Sequence, residues 1–538
     1  MIKRIFTSQL NSITGAALVL GAASFVSRII GIIRDRTFAH MFGVGDTLDI
    51  YYAAFRIPDL VYNLLVAGAL TAGFIPVFMD LYVTDKKRAN ELANLVMSTL
   101  GVLLVIVCIL FIIFTPSLIP YIVPGFTAEN IPMTILLTRI MFISPIILGI
   151  SGVLSGVLQS LKCFIIYSLT PIFYNLGIIL GALLFYPIFG MKGLAYGVIL
   201  GTILHLAIQI PTLLAHGFTF QFLWNIKDKA LRKIVKLMVP RTLSLATTQL
   251  NFLVITIIAS TLTSGSITVF NFANNLQYFP IGLIGISFAL AAFPAFSEFV
   301  ARGEIEKMAE HLLSSMRQIL FFILPLTIIF LFLRMQIVRV VLGSGKFDWD
   351  ATTTTADTLA FFCLSLFAQC LIPIITRAYY AFHDTWTPFH ISFITALLNI
   401  IGSLLLKDSY GIAGLALAFS FSMVVQLVLL WIFLRKKLPK HMREQTLIES
   451  LNKIIPATIA MASVVQLLKY PLADMVNMET FWGVFTQGFL AGSAGLLVYF
   501  ILCHVLQLEE MKQLRRSLKR RWLNFRKVQG EIGEADSI

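Results

Sequence analysis

Charged residues are scarce in this 538-residue chain. They make up 13% of it, whereas soluble domains contain about a quarter, and hydrophobic residues reach 58%. A soluble globular protein is therefore excluded. The apolar residues fall into runs of roughly 20 to 28, each long enough to cross a bilayer core of about 30 Å as a helix. With 45 Phe and 34 Gly, these runs predict transmembrane helices rather than the alternating pattern of a membrane barrel.

Motifs for catalysis and metal binding are also lacking. The five cysteines show no C-x-x-C or C-x-x-H spacing, which argues against a disulfide framework and a metal site. The Gly345-Lys346 pair resembles a phosphate-binding loop but lacks the earlier glycine and the following Ser or Thr. No G-x-S-x-G nucleophile motif is present. We therefore expect neither an ATPase nor a cofactor. Any transport should be driven by a monovalent ion gradient, the membrane potential or the substrate's own gradient, with no coupling site assigned.

Fourteen apolar segments are predicted to span the membrane. They cover residues 13–33, 54–82, 93–119, 131–157, 164–186, 192–214, 234–262, 267–297, 316–338, 355–381, 386–406, 411–434, 449–471 and 480–506. The excess positive charge lies in the second, sixth, eighth and twelfth connections, as in Lys86-Lys87-Arg88 and Arg435-Lys436-Lys437. By the positive-inside rule these connections and both termini are cytoplasmic. The charge of +14 thus orients helices, and no nucleic-acid partner is expected.

An internal repeat indicates two lobes. The matching pairs lie at nearly one offset: Gly190-Met-Lys-Gly-Leu-Ala with Gly411-Ile-Ala-Gly-Leu-Ala, Asn175 with Asn399, and Pro76-Val-Phe with Pro294-Ala-Phe. We predict an all-α integral membrane protein of two six-helix lobes, 1–215 and 216–440, in a parallel pseudo-twofold repeat, with two extra helices in 441–507. Such lobes commonly hold a substrate between them, which favours a transporter over a receptor or scaffold.

A basic amphipathic cytoplasmic tail is predicted for 508–538. Apolar Leu514, Leu518, Trp522 and Phe525 recur at helical spacing opposite arginines and lysines. This pattern is typical of a helix lying on an anionic lipid surface.

Ionisable residues cluster in the first two predicted spans, where a charge costs at least ~2.5 kcal/mol unless it faces a cavity or a partner. Arg28 and Asp35 lie on one helical face, with Gly31 between them permitting close approach or a bend. We interpret this face, together with Arg34 and with Arg56 of the second span, as a cavity wall that binds an anionic headgroup. The alternative is that Arg34 and its neighbours are interfacial anchors.

Three further arginines lie in later spans, where acidic partners are few. Arg139, Arg241 and Arg377 suit a phosphate-bearing substrate, because the guanidinium binds phosphate oxygens bidentately. Arg139 and Arg377 fit a structural role equally well, bonded to backbone carbonyls at helix ends.

Several motifs together resemble the MurJ/MviN lipid II flippases of the MOP exporter superfamily. They are Ser27-Arg28 with Arg34-Asp35, Phe55-Arg56-Ile-Pro58-Asp59, Leu137-Thr-Arg139-Ile-Met-Phe142, Leu154-Ser-Gly156-Val-Leu-Gln159-Ser160, Gly345-Lys346-Phe347 and Ala381-Phe-His-Asp384-Thr-Trp-Thr-Pro388. The resemblance implies alternating-access flipping of lipid II, an undecaprenyl-diphosphate-linked peptidoglycan precursor, from the inner to the outer leaflet of the bacterial inner membrane. It also implies a role in cell-wall biogenesis and cell shape, with membrane lipids and cell-wall synthesis proteins as partners.

Some positions depart from that family's pattern. Tyr62-Asn63 stand where a pair of arginines is expected, Ala67 where a glutamate is expected, and Asn275 where another arginine is expected. Two alternatives therefore stay open, an exporter of another polyprenyl-linked glycan or a drug, and a non-transporting scaffold. The excess of arginine over carboxylates argues against export of cations.

The predicted site follows from the resemblance and from the charges within the spans. We hypothesise that Arg241 compensates for the missing arginines. The expected substrate contacts are Arg28, Arg34, Asp35, Arg56, Asn63, Arg241 and Asn275, and the structural or gating candidates are Gly31, Arg139, Arg377 and Asp384.

Overall fold

The computed structural model describes residues 13–67, 73–439, 441 and 444–516, without the side chains of 13–20, 67, 239–241, 243 and 244. Throughout these ranges the chain forms helices and contains no strand. The helices, numbered α1 to α20, are Ile13–Phe42, Asp46–Tyr62, Ile75–Thr84, Lys86–Ile122, Asn130–Met141, Ile143–Ser160, Phe164–Leu180, Tyr186–Phe189, Met191–Ala207, Ile210–Ala215, Lys229–Ser260, Ser266–Pro280, Ser287–Ala301, Ile305–Phe332, Arg334–Val341, Trp349–Cys363, Leu366–Ala381, Trp386–Arg435, Gln445–Met475 and Phe481–Val505. Short π-helical turns follow α2, α7 and α12 at Asn63–Ala67, Gly181–Phe185 and Ile281–Ile286.

The predicted fold class is confirmed, but the count of fourteen spans is not. Among the described residues, nine helical stretches are long and apolar enough to cross a membrane, and the bent pair α16 and α17 makes a tenth. The eleventh and twelfth predicted spans form one 50-residue helix, α18, broken only by the backbone of Gly411. The first, second and seventh lie in α1, in α2 with α3, and in α11, where part of the chain or its side chains is not described. Fourteen therefore stays a prediction.

The backbone supports the internal repeat. Gly190 has φ 59° and ψ −143°, and Gly411 has φ 55° and ψ −137°. L-residues with a Cβ rarely adopt this conformation. Three residues later, Gly193 packs against the backbone of Phe185 and Gly414 against that of Leu406, eight residues back in both cases. The two motifs therefore share a backbone conformation and a close approach that only glycine permits.

Residue contacts divide the chain into two compact units. The first comprises Met1–Leu276, Val341–Thr358 and Phe389–Ser422, and the second comprises Gln277–Val340, Leu359–Pro388 and Met423–Ile538. This division follows spatial contacts rather than the sequence repeat. The lobe boundaries predicted at 215 and 440 stay a prediction.

Connections within the first unit contact each other in two sets. Arg88 of the second connection forms an ion pair with Asp228 of the sixth, and Cys163 of the fourth lies 3.7 Å from His216. Separately, the Lys346 amide of the ninth connection donates to the His40 carbonyl at 3.0 Å, close to the first. In these examples even-numbered connections contact even-numbered ones and odd-numbered connections contact odd-numbered ones. This is expected because successive spanning helices alternate in direction. Which set faces the cytoplasm is predicted only from the charge pattern.

In the second unit, the start of the predicted tail packs against protein. Met511 and Leu514 pack on a buried cluster that includes Phe321, Tyr499 and Leu508. The part of the predicted apolar stripe that the structure describes is therefore partly covered by neighbouring helices. Leu518, Trp522 and Phe525 lie outside the described residues.

Candidate functional site

A cavity of about 300 Å³ lies within the first unit. Helices α1, α2, α6, α7 and α9 form its wall. Its polar lining is made by Arg34, Asp59, Ser144, His205 and four tyrosines, Tyr51, Tyr52, Tyr62 and Tyr174. The cavity thus combines one guanidinium and one carboxyl group with neutral hydrogen-bonding groups and aromatic rings. The rest of the lining is apolar, so the surface suits a ligand that has both apolar faces and polar groups.

Arg34 and Asp35 are at the centre of a hydrogen-bond network in this region. The Nε and Nη2 atoms of Arg34 donate to Oδ1 of Asp35 at 3.0 and 2.8 Å, and its Nη1 donates to Oδ1 of Asn175 at 3.0 Å. Oδ2 of Asp35 accepts from Nδ2 of Asn275 at 2.9 Å. The helix α1 continues to Phe42, beyond the predicted end of the first span at residue 33, and pairing with Asp35 offsets part of the cost of burying the Arg34 charge there. The network joins α1, α7 and α12.

The departure at Asn275 has a local explanation. An arginine is expected there from the family pattern, and it would place a second cation near Asp35. Asn275 instead supplies a neutral donor to the same carboxylate. Both carboxylate oxygens of Asp35 therefore accept a hydrogen bond, and this region has one positive charge fewer than the family pattern would give.

Arg56 lies in α2 but outside the cavity lining. Its Nε donates to Oγ1 of Thr256 at 2.8 Å and its Nη2 donates to Oδ1 of Asn271 at 2.9 Å. The guanidinium also lies 5.8 Å from the centre of the Phe252 ring. Arg56 therefore links α2 to α11 and α12, and its contact with a substrate stays a prediction.

Asn63 is joined to a cavity residue. Its Nδ2 donates to the backbone carbonyl of Asp59 at 2.9 Å and to Oδ1 of Asp59 at 3.0 Å. Asp59 lines the cavity. Asn63 thus contacts a cavity-lining residue, and its contact with a substrate stays a prediction.

Arg28 and Gly31, both in α1, are outside the cavity lining. Arg28 is partly buried, and the cavity is lined from α1 by Arg34 and Phe38. A Cβ on Gly31 would meet no atom within 4 Å, so close approach of a neighbouring helix does not explain this glycine. The contact of Arg28 with a substrate stays a prediction.

Arg139 has a structural partner. Its Nε donates to the carbonyl of Ile112 at 3.1 Å. Pro116 lies four residues after Ile112 and has no N–H, so the helix leaves this carbonyl without its usual donor. Arg139 supplies that donor, which favours the structural interpretation over substrate contact.

The other two predicted arginines are Arg377 and Arg241. The guanidinium of Arg377 lies 5.3 Å from the centre of the Phe293 ring. Arg241 lies in α11, and its side chain is outside the described part of the chain. The proposed compensation by Arg241 therefore stays a prediction.

Asp384 holds two connections of the second unit together. Its Oδ1 accepts from the Thr387 amide at 3.0 Å, and its Oδ2 accepts from Oγ1 of Thr387 at 2.7 Å and from Nζ of Lys437 at 2.5 Å. Partial burial alone would raise the pKa of this carboxyl, but the hydrogen bonds from Lys437 and Thr387 outweigh it and hold the pKa below its usual range. Asp384 is thus ionised at neutral pH and clamps the tenth connection to the twelfth.

Sequence reasoning missed most of the cavity's neutral lining. Tyr174 and His205 lie in apolar helices with no charged motif around them, and the tyrosines of α2 flank the motif at residues 55–59 without belonging to it. The spacing of Tyr51 and Tyr62 from Arg34 in sequence gives no sign that α1 and α2 meet at this point. The available signal was the concentration of tyrosines in α2, a span that also contains Arg56 and Asp59.

Comparisons with known proteins give a consistent result. The model of the family described as "Lipid II flippase MurJ" matches residues 38–486. A probable lipid II flippase MurJ of Rickettsia prowazekii (strain Madrid E) is 29% identical over 470 residues, 86% of this chain and 92% of that protein. The corresponding protein of Vibrio cholerae is 28% identical over 510 residues, 92% and 95% of the two chains.

Solved structures agree with these sequence matches. A lipid II flippase MurJ in an inward closed conformation superimposes with a TM-score of 0.75 at 25% identity, over 91% of this chain and 98% of that one. An inward-facing multidrug resistance MATE transporter of the MOP superfamily gives a TM-score of 0.66 at 15% identity, over 76% and 94%. The second likeness shows the fold alone.

Proposed function

The chain belongs to the family of the lipid II flippase MurJ, and we propose that it transfers lipid II across the membrane from the inner to the outer leaflet. The match of the family model over residues 38–486 carries this proposal. The exporter and scaffold alternatives have no comparable support, because the MATE likeness extends to the fold only.

The chemistry of Arg34 supports a diphosphate ligand. A guanidinium has five N–H donors, and the bonds to Asp35 and Asn175 use three of those on Arg34. One N–H on each terminal nitrogen is left for a ligand. N–H donors on both terminal nitrogens of a guanidinium can bond to phosphate oxygens. Because Asp35 also holds the guanidinium in place, little side-chain entropy is lost on binding.

The tyrosines of the cavity support a ligand that carries sugars and peptide. Each ring offers an apolar face and a hydroxyl group, and four of them surround the space beside Arg34 and Asp59. A purely apolar drug would not use these hydroxyl groups. A glycan or peptide group can bond to them and pack against their rings.

We further propose the surroundings in which this transfer takes place. The chain is a multi-span membrane protein, and the bacterial inner membrane, with cytoplasmic termini and even-numbered connections, fits the distribution of lysine and arginine. Alternating access between two repeated lobes fits the parallel repeat. An ion gradient or the membrane potential would drive the cycle, with cell-wall synthesis proteins as partners that supply or use the precursor.

A rescue and leaflet assay tests the proposed function. The gene is expressed in a bacterium depleted of its own lipid II flippase, and lipid II in the outer leaflet is measured with an impermeant reagent. We expect growth and outer-leaflet lipid II from the wild type and from an Arg139→Gln control. We expect neither from Arg34→Ala. Normal membrane insertion of the wild type without rescue or flipping would contradict the proposal.

A further inference from the structure

A buried polar cluster lies behind one wall of the cavity. Oγ of Ser151 lies 2.6 Å from Nδ1 of His205, and Nε2 of Gln209 donates to Oγ of Ser151 at 2.6 Å. Oγ of Ser155 donates to Oε1 of Gln209 at 3.0 Å. Ser151 and Gln209 are fully buried, whereas His205 reaches the cavity. The cluster joins α6 to the end of α9 within the first unit.

Hydrogen-bond accounting assigns a donor and an acceptor to the bonds around Ser151. The amide atom of Gln209 that faces Ser151 also lies 2.8 Å from the backbone carbonyl of His205. A carbonyl oxygen only accepts, so this atom must be the amide nitrogen, and it donates to Ser151. Oγ of Ser151 therefore accepts from Gln209 and has its own hydrogen free for Nδ1 of His205. The same amide nitrogen lies 3.4 Å from Nδ1. Because an amide nitrogen offers only N–H groups, this position favours an Nδ1 that carries no hydrogen.

The histidine tautomer follows from these directions. Nδ1 of His205 is an acceptor, so the neutral ring carries its proton on Nε2. Nε2 has no hydrogen-bond partner among the described residues, and the side chain lines the cavity. The N–H on Nε2 is the polar group that this ring can offer to a ligand.

We propose that His205 is a substrate-binding residue whose Nε2–H donates to an anionic oxygen of the lipid-linked diphosphate, and that Ser151 and Gln209 are positioning residues that hold it in this tautomer. This inference rests on the proposed function and adds a second donor to Arg34. Arg34 comes from α1 and His205 from α9, so the two donors reach the ligand from different helices. A neutral donor adds a hydrogen bond without a second buried charge.

Nuclear magnetic resonance of the full-length protein tests the tautomer. The protein is labelled with ¹⁵N-histidine in lipid nanodiscs, and His205→Phe identifies the signals of His205 among the 8 histidines. We expect an unprotonated Nδ1 and a protonated Nε2. His216 provides an internal contrast, because its Nδ1 lies 2.8 Å from the Thr212 carbonyl and must donate. In Ser151→Ala, signals of the other His205 tautomer should appear. A protonated Nδ1 on His205 in the wild type would overturn the proposal.

Binding measurements test the role of the donor. Undecaprenyl diphosphate, which has no glycan, is titrated into the wild type, His205→Phe, His205→Gln and the control His216→Phe. Loss of one hydrogen bond to a charged group should weaken binding by about tenfold in His205→Phe. His205→Gln keeps an N–H donor and should recover part of the affinity, and His216→Phe should match the wild type. Equal affinity of the wild type and His205→Phe, or no binding by the wild type, would overturn the inference.

The two proposals fail in different ways. If lipid II is not flipped by the wild type but His205→Phe weakens binding of undecaprenyl diphosphate, the donor is supported and the assigned substrate is wrong. If lipid II is flipped equally by the wild type and His205→Phe at limiting substrate, and their affinities are the same, the donor role is wrong and the proposed function stands.

Discussion

At the scale of single residues, Arg34 depends on its sequence neighbour. The Asp35 side chain is only 8% exposed, so its charge needs the guanidinium and Asn275 as partners. Arg34→Ala should therefore cost about 3 kcal/mol of stability, because it leaves a buried carboxylate unpaired, and it should abolish transport. The double variant Arg34→Gln with Asp35→Asn removes both charges and should regain most of the stability without regaining transport. Thermal unfolding in detergent and the leaflet assay measure the two effects separately.

Arg34→Lys sharpens this test. It keeps the charge but loses the planar arrangement of donors, so we expect near-normal stability with reduced transport. If Arg34→Ala instead unfolds at the temperature of the wild type, the pair does not stabilise the first unit. Transport by the double variant at the wild-type rate would remove Arg34 from the substrate site.

The clamp at Asp384 predicts a pH dependence of stability. The pKa of this carboxyl is lowered in the folded protein by Lys437 and Thr387. Its contribution is therefore complete above the unfolded pKa of about 3.9 and is lost as the pH falls through the lower folded pKa. At pH 7, Asp384→Asn should unfold at a lower temperature than the wild type, with a loss of about 1 kcal/mol. The difference should shrink as the pH falls below about 4.

Thr387→Val provides the matched control for Asp384. It removes one hydroxyl donor but leaves the Lys437 contact, so a smaller loss with the same pH dependence is expected. A difference between wild type and Asp384→Asn that is constant from pH 7 to pH 3 would show that the ionised carboxylate is not the stabilising group.

At the scale of helices, the break at Gly411 is a backbone effect. A Cβ at this position would meet no atom within 4 Å, yet φ is 55°. Gly411→Ala should therefore cost about 1–3 kcal/mol through backbone strain alone. Gly31 is the matched control, since it also has open space around its Cβ but lies within α1. Gly31→Ala should be neutral or stabilising by up to about 1 kcal/mol. Equal unfolding temperatures for the two variants would contradict the role of the positive φ.

The segment after α20 predicts the result of two truncations. Leu508 is 2% exposed, and the Glu510 carboxylate lies 3.1 Å from Nε of Arg317 and accepts from Ser450 at 3.0 Å. Ending the chain after Gln507 removes these contacts and leaves Arg317 without its ion-pair partner, so the unfolding temperature should fall clearly. Ending it after Arg516 keeps them, so the unfolding temperature should fall less than after Gln507. Equal unfolding temperatures for both truncations would show that this segment does not stabilise the second unit.

At the scale of the whole molecule, composition was sufficient for the fold class but not for the site. The bilayer requires long apolar runs, and the positive φ at positions 190 and 411 favours glycine. Both patterns can be recognised in the sequence without a structure. The pairing of Arg34 with Asn175 and of Asp35 with Asn275 joins distant helices, so no local pattern predicts it. Arg139 is the opposite case. Its charge within a predicted span suggested a binding site, but its bond to the backbone carbonyl that Pro116 leaves without a donor favours a structural role.

The orientation of the whole chain in the membrane can be measured. The five native cysteines are all buried and should not react with a membrane-impermeant thiol reagent. A single cysteine introduced at an exposed position therefore reports which side of the membrane that position faces. Suitable exposed positions are Lys87 and Lys436 in even-numbered connections and Glu129 and Glu479 in odd-numbered ones. Because lysine and arginine are retained on the cytoplasmic side, we expect labelling of Glu129→Cys and Glu479→Cys in intact spheroplasts. Lys87→Cys and Lys436→Cys should react only after permeabilisation. Full reversal would mean that the charge rule fails for this chain, and a mixed result would mean that the number of spans between the labelled positions is wrong.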